Sequence, residues 1–257
     1  MEAFSKFIQT AKAMDTVMMN LRIITNGTKE ETQQLISSYV SLGRSIGATT
    51  QEVATSAIQW QRQGYEAAEV IKLVTSSIYL SKLGMIDANA ATKDLTSALK
   101  GFKLSANESM DVVDKLTAID LKAAVSAGDI AEGLAQFANL GNLMGVSIDQ
   151  AAAYVATIAD VTQMSGSSAG QAMKMIISRY GNVKAGAFGR MNLDADSEDG
   201  SAINDVERVL KKLGISMRKT HSEFKDFDET INEIAEKWNT LDNISQKAIA
   251  TAFAGTR

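Results

Sequence analysis

The sequence predicts an all-α protein, an array of helical hairpins followed by a smaller C-terminal helical segment. Three observations predict it. Proline is absent from all 257 residues, where roughly a dozen would be usual, and proline is the residue that breaks helix interiors. Ser/Thr-x-x-Glu/Gln patterns recur along the chain, and each marks a helix start whose first side chain accepts from a free backbone N–H. Apolar residues repeat three and four apart, which is helical spacing.

The elements follow in order. The opening "MEAFSKFIQTAKAMDTVMM" falls at once into a helical pattern. It lacks a basic start followed by an apolar core, so it does not read as a secretory signal. "LRIITNGT" is the nearest approach to strand alternation. Helix starts are expected at Thr28…Glu31, Thr49…Glu52, Ser105…Glu108, Ser147…Gln150 and Thr220…Glu223. Gly27, Gly47, Gly101 and Gly145 precede four of them and are expected to end the preceding helix in left-handed backbone. In "YEAAEVIKLVTSSIYLSK" a face forms from Ala67, Ile71, Val74 and Ile78; in "ESMDVVDKLTAIDL" it forms from Met110, Val113, Leu116 and Leu121. "DQAAAYVATIADVTQ" places Ala152, Val155, Ile158 and Ala159 on one face. Gly47 and Gly64, Gly84 and Gly101, and Gly128 and Gly145 are each 17 apart. That spacing is compatible with stacked hairpins and does not establish a repeat.

Around "GNVKAGAFGRMNLDADSEDGSAIND" the apolar stripe fails, so residues 182–201 read as a loop. The expected division is a helical core over 1–185 and an acidic loop with a helical segment over 186–257. The end, "AIATAFAGTR", stops barely past an apolar run; both ends read as cut from something longer, with Met1 added.

Composition restricts the chemistry. Net charge is −4, against the basic excess of a dedicated nucleic-acid binder. With no cysteine and one histidine, disulfides, thiolate chemistry and the usual zinc sites are out. No run of about 18 apolar residues is present, so a bilayer-spanning helix is not expected.

Candidate sites are few. Gly166-Ser167-Ser168-Ala169-Gly170 fits the G-x-S-x-G pattern of a hydrolase nucleophile elbow, with His221 and Glu223 as partners. An elbow needs a strand leading into the serine, and the leading segment reads as a helix. The alternative is a tight Gly-Ser-Ser linker whose small residues let two helices approach closely. Asp194, Asp196, Glu198 and Asp205 occupy positions 1, 3, 5 and 12 of a calcium loop, but Asp199 stands where glycine is required; a solvated acidic loop is the plainer reading. Lys174, Arg179, Lys184 and Arg190 are a weak phosphate-facing stripe or a solvated face. His221 reads as an exposed helix-start residue, and Trp60 and Trp238 as packing residues. Met14, Met18, Met144, Met173 and Met175 are adaptable core filler or the lining of a partner surface. No catalytic residue, cofactor or metal is expected.

"SGSSAGQAMKMIISRYG" resembles the diagnostic segment of phage tail tape measure proteins of the TP901 type, a Gly-x-x-Ala-Gly core followed by a basic helix. Gly166, Ala169, Gly170, Lys174, Ser178 and Arg179 carry the resemblance, with Lys174 where arginine is more usual and Tyr180 where leucine is. "LTSALKGFKLSANESMDVVDKLTAID", "GVSIDQAAAYVATIADV", "FKDFDETINEIAEKWNTL" and "AIATAFAGTR" resemble further segments in the family's order. The likeness runs from about residue 12 to 257. It implies structural work: setting tail length, guiding tail assembly and serving genome ejection, in the tube lumen of the virion tail and in the host cytoplasm during assembly. The implied partners are tail-tube proteins, assembly chaperones and tail-tip or baseplate proteins. Self-association and transient contact with envelope or DNA stay open, and no small-molecule substrate is implied. A helical-repeat binding module is the alternative reading, and a serine hydrolase the remote one.

Overall fold

The computed structural model describes residues 2–182, 204–220 and 223–255. Twelve α-helices account for most of them, as the missing proline and the repeated caps predict. The chain divides into two compact units, Met1–Glu132 and Gly133–Arg257. The expected boundary at 185/186, the acidic loop and its calcium reading through Asp194, Asp196 and Glu198, together with Lys184, Arg190 and His221, lie outside the described residues. Asp205, the last member of the calcium pattern, is the first residue of a helix and pairs with Arg208 at 3.1 Å.

The first unit holds α1 (Glu2–Thr25), α2 (Lys29–Ile46), α3 (Thr50–Gln61), α4 (Ala67–Leu83), α5 (Ala88–Gly101), a 3-10 turn at Ala106–Glu108, and α6 (Ser109–Asp120). "LRIITNGT", the strand-like stretch, is helical through Thr25. Reciprocal capping boxes form at Thr28/Glu31, Thr49/Glu52 and Ser105/Glu108. The third opens the 3-10 turn. Of the four glycines, Gly47 and Gly145 are left-handed. At the other two joints the left-handed residue is Asn26 or Lys103 instead. Helix α4 packs on α3, α5 and α6, so its buried surface is broad. It is built from Val70, Leu73, Val74, Ser77, Ile78 and Leu80, while Ala67 and Ile71 of the expected face are exposed. On α6, Val112, Val113 and Leu116 are buried, and Leu121 is 83% exposed just past the helix end.

Side-chain hydrogen bonds stitch these helices. Ser56 Oγ and Thr92 Oγ1 share one at 2.9 Å, and Ser76 and Ser109 another at 2.9 Å. Trp60 is fully buried and its indole N–H donates to Ser77 at 3.1 Å. Buried hydroxyl and indole groups need such partners, because an unpaired one would cost about 1–3 kcal/mol. Lys82 reaches from α4 to the end of α2 and donates to the carbonyls of Ile46 and Gly47 at 2.5 and 2.6 Å. Helix ends leave such carbonyls without intrahelical partners.

Helix α7 (Ala127–Leu143) contains the division. Its Ile130, Ala131, Leu134, Phe137 and Ala138 are buried. The second unit continues with α8 (Ile148–Thr162), α9 (Gly166–Tyr180), α10 (Asp205–Lys212), a short antiparallel hairpin of β1 (Arg218–Thr220) and β2 (Glu223–Phe224), α11 (Phe227–Trp238) and α12 (Asn243–Ala254). The hairpin corrects the helix start expected at Thr220…Glu223. Those residues pair across strands, Thr220 opposite Glu223. The helix cap stands six residues after Thr220, at Asp226, whose reciprocal partner is Glu229.

Candidate functional site

The segment 165–180 carries the glycine motif, and its geometry starts with a cap. Ser165 stands in extended backbone and its hydroxyl accepts from the Ser168 N–H at 3.3 Å. That ends the α8–α9 joint and starts α9. Gly166, Ala169, Gly170, Met173, Ile177 and Tyr180 then lie on one helical face and are all buried. Helix α9 packs on α8, α10 and α12.

Gly170 lies on the backbone of Gly133 in α7. A Cβ at 170 would stand 2.7 Å from the Gly133 Cα and carbonyl carbon, closer than real Cβ contacts run. A Cβ at Gly133 would in turn stand 2.8 Å from the Gly166 carbonyl oxygen and 3.1 Å from Val155 Cγ2. The two helices therefore meet backbone to backbone, and glycine is required on both sides. The expected Gly-Ser-Ser linker is corrected, since Gly166–Gly170 form the first turns of α9; the close approach its small residues allow is made to α7.

Ser168 does not have the setting of an elbow nucleophile. Helix α8 leads in, where an elbow needs a strand. Ser168 is exposed in the first turn of α9, and its hydroxyl accepts from Ser165 at 3.1 Å. Among the described residues no group of three or more His, Asp and Glu side chains could hold a metal ion, and no helix is long and apolar enough to cross a membrane.

The remaining motif residues divide by face. Lys174 and Ser178 are exposed one turn apart, beside Met175, which is 54% exposed. Arg179 is half-buried, and its guanidinium lies against Gly255 at the end of α12. A cation there faces the negative end of the helix dipole. Of the methionines, Met173 is core, Met14, Met18 and Met144 are half-buried, and Met175 faces solvent. Trp60 is core packing as expected; Trp238 is only partly covered.

At its C-terminal end α9 enters an aromatic and polar cluster that sequence reading did not find. Phe227 makes edge-on contacts with Tyr154, Tyr180 and Phe253, with ring centroids 6.0, 5.3 and 6.5 Å apart. The Tyr180 hydroxyl donates to the Lys225 carbonyl at 2.8 Å and meets Thr230 Oγ1 at 2.9 Å. The Tyr180 carbonyl accepts from Asn204 at 2.8 Å. Tyr154 donates to Asp228 Oδ1 at 2.7 Å. Burial pushes the Asp228 carboxyl above its ordinary range, against the lowering effect of Tyr154 and the Ser147 N–H. It also pushes both tyrosines up, Tyr154 aided by the Asp228 charge. Glu207 is nearly buried and takes Arg218 in a two-pronged pair at 2.5 and 3.0 Å. The Asp226-x-x-Glu229 and Asn204-x-x-Glu207 caps are local signals for this region.

The arrangement offers shape and helix contacts, with exposed Lys174, Met175 and Ser178 on the outer side of α9. The chain matches the family described as phage-related minor tail protein over residues 37–255. It is also similar to the tape measure protein of Pneumococcus phage Dp-1, 23% identical over 172 residues, which is 67% of this chain and 15% of that protein. The chain thus spans about a seventh of the length of that curated relative. No solved structure matches.

Proposed function

The chain belongs to the phage-related minor tail protein family, and on that premise we propose that it is a segment of a tape measure protein of the TP901 type. In this reading the whole protein occupies the tail-tube lumen, sets tail length, takes part in tail assembly and leaves with the genome. It is made in the host cytoplasm, where assembly chaperones hold it. Tail-tube rings and tail-tip or baseplate proteins are its partners in the particle. Gly166, Ala169 and Gly170 shape the helix contact, and Lys174, Ser178 and Arg179 complete the motif. The observation that carries the reading is the 172-residue similarity to a protein named for that task.

Physical chemistry is consistent with a chain that works by extent. As one continuous helix, 257 residues would run about 385 Å at ~1.5 Å each. The helices are short and rich in alanine, so the apolar area given up per residue on opening is modest. A phage from which residues 37–255 are removed in frame tests this. If the segment lies as extended helix in the tube, tails shorten by about 330 Å in electron micrographs. If it is folded at one end of the tail, length holds and ejection fails. Unchanged length with full ejection would sink the proposal.

A further inference from the structure

Helix α7 meets other helices through bare backbone at two places, one in each unit. In the first unit, Gly128 lies on Gly84 at the end of α4. A Cβ at 84 would stand 2.6 Å from the Gly128 nitrogen and 2.8 Å from its Cα, and one at 128 would stand 2.6 Å from Ile86 Cγ2. In the second unit, Gly133 lies on Gly170, with the Gly166 carbonyl and Val155 closing the contact. The division of the chain falls between them, at Glu132/Gly133. Apart from α7, the stitching contacts also stay within one unit each. Ser56–Thr92, Trp60–Ser77 and Ser76–Ser109 are in the first. Tyr154–Asp228, Tyr180–Thr230 and Glu207–Arg218 are in the second.

Resting on the tail reading, we propose that each unit is closed on its own part of α7 by a separate glycine contact, so that one opens while the other stays closed. The physical reason is the range of the contact. Dispersion between backbone atoms falls away within about an ångström of separation, and the side chains beside the contacts, Ile86 and Val155, are branched and short, so they reach little farther. Each glycine contact is therefore either made or lost. A chain that must be opened in a confined space is thereby released in two stages, and each stage exposes one core.

Amide hydrogen exchange on the full chain tests the proposal, because it reads opening free energy segment by segment. Gly170→Ala forces a methyl onto the Gly133 backbone, which cannot rotate away. Exchange in α8, α9 and α12 should accelerate about tenfold or more, with α3 and α5 within about twofold of the unaltered protein. Gly128→Ala should do the reverse, accelerating α4 and α6 and sparing α9 and α12. Should Gly170→Ala not fold, Val155→Ala loosens the same contact by removing the methyls that meet Gly133, and should accelerate α8 and α9 alone. Equal acceleration of both units in any of these variants, or none at all, would overturn the proposal. The exchange pattern is independent of tail length, so its failure leaves the ruler reading standing, and a failed ruler test leaves the two-stage opening standing.

Discussion

The two units are held together by different means. The first is joined by hydroxyl, indole and amide pairs between helices that are close in sequence. Trp60–Ser77 spans 17 residues, Ser76–Ser109 spans 33, and Ser56–Thr92 spans 36. The second depends on one aromatic residue and on partners far apart. Phe227 touches three rings, Tyr180 reaches Thr230 across 50 residues, and Tyr154 reaches Asp228 across 74. Closing a longer loop costs more entropy, though the cost grows slowly. The larger difference is concentration. Distributed pairs lose little when one is removed, while a hub loses most of its contacts at once.

The sharpest way to break this comparison is Phe227→Ala. Deleting a buried phenylalanine costs about 3–5 kcal/mol, and the loss should fall on the second unit. Thermal unfolding followed by circular dichroism should separate into two transitions, the lower from the second unit. A single transition at an unchanged temperature would show that Phe227 is no hub.

The next effect is electrostatic and belongs to the first unit. Asp94 on α5 is pushed up to about 6, first by burial and then by the charge of Glu132 on α7. Its folded value lies above the unfolded one, so the folded state binds the proton more tightly between them. The contribution of this group is therefore most favourable when protonated, and it is lost as pH rises from about 4 through 6. Asp94→Asn should raise stability at pH 7 by about 1 kcal/mol, after allowance for its partial exposure, with the gain vanishing near pH 4. Because Glu31, Glu108, Glu233 and Asp242 are shifted the other way, the measurement is the difference between variant and parent in urea melts across that range. A gain that grows on acidification would contradict the sign.

The smallest effects separate two neighbouring serines. Ser165→Ala removes the cap of α9 and should cost about 1 kcal/mol. Ser168→Ala removes only an exposed hydroxyl and should stay within about 0.5 kcal/mol. A large loss at 168 with none at 165 would reverse the roles assigned here.

What the sequence revealed was local. The boxes at Thr28, Thr49 and Ser105 are legible because both partners lie within four residues. The cap at Ser147 is legible for the same reason, its hydroxyl accepting from the Gln150 N–H. Starts led by an acid are as local, yet Glu66, Asp87, Asp226 and Asp242 escape a search limited to Ser and Thr. Thr220…Glu223 misleads because the same residue types also fit a hairpin. The buried surface of α4 departs from a single stripe because three neighbours cover it. At the motif, the small residues announce a close approach. Nothing local announces that Gly133 is the partner, since it lies 37 positions upstream of Gly170 in another helix. The hub around Phe227 is invisible for the same reason.

The joints themselves have a consequence for how the chain straightens. Asn26, Met85, Lys103 and Gln163 hold left-handed backbone with φ between 48° and 58°, a conformation that costs a residue with a side chain about 1 kcal/mol or more. No proline stands at any of these corners, so nothing forbids their rewinding into regular helix. Pulled taut, each corner would shed its torsional penalty and add hydrogen bonds along the axis, which partly offsets the loss of the cores.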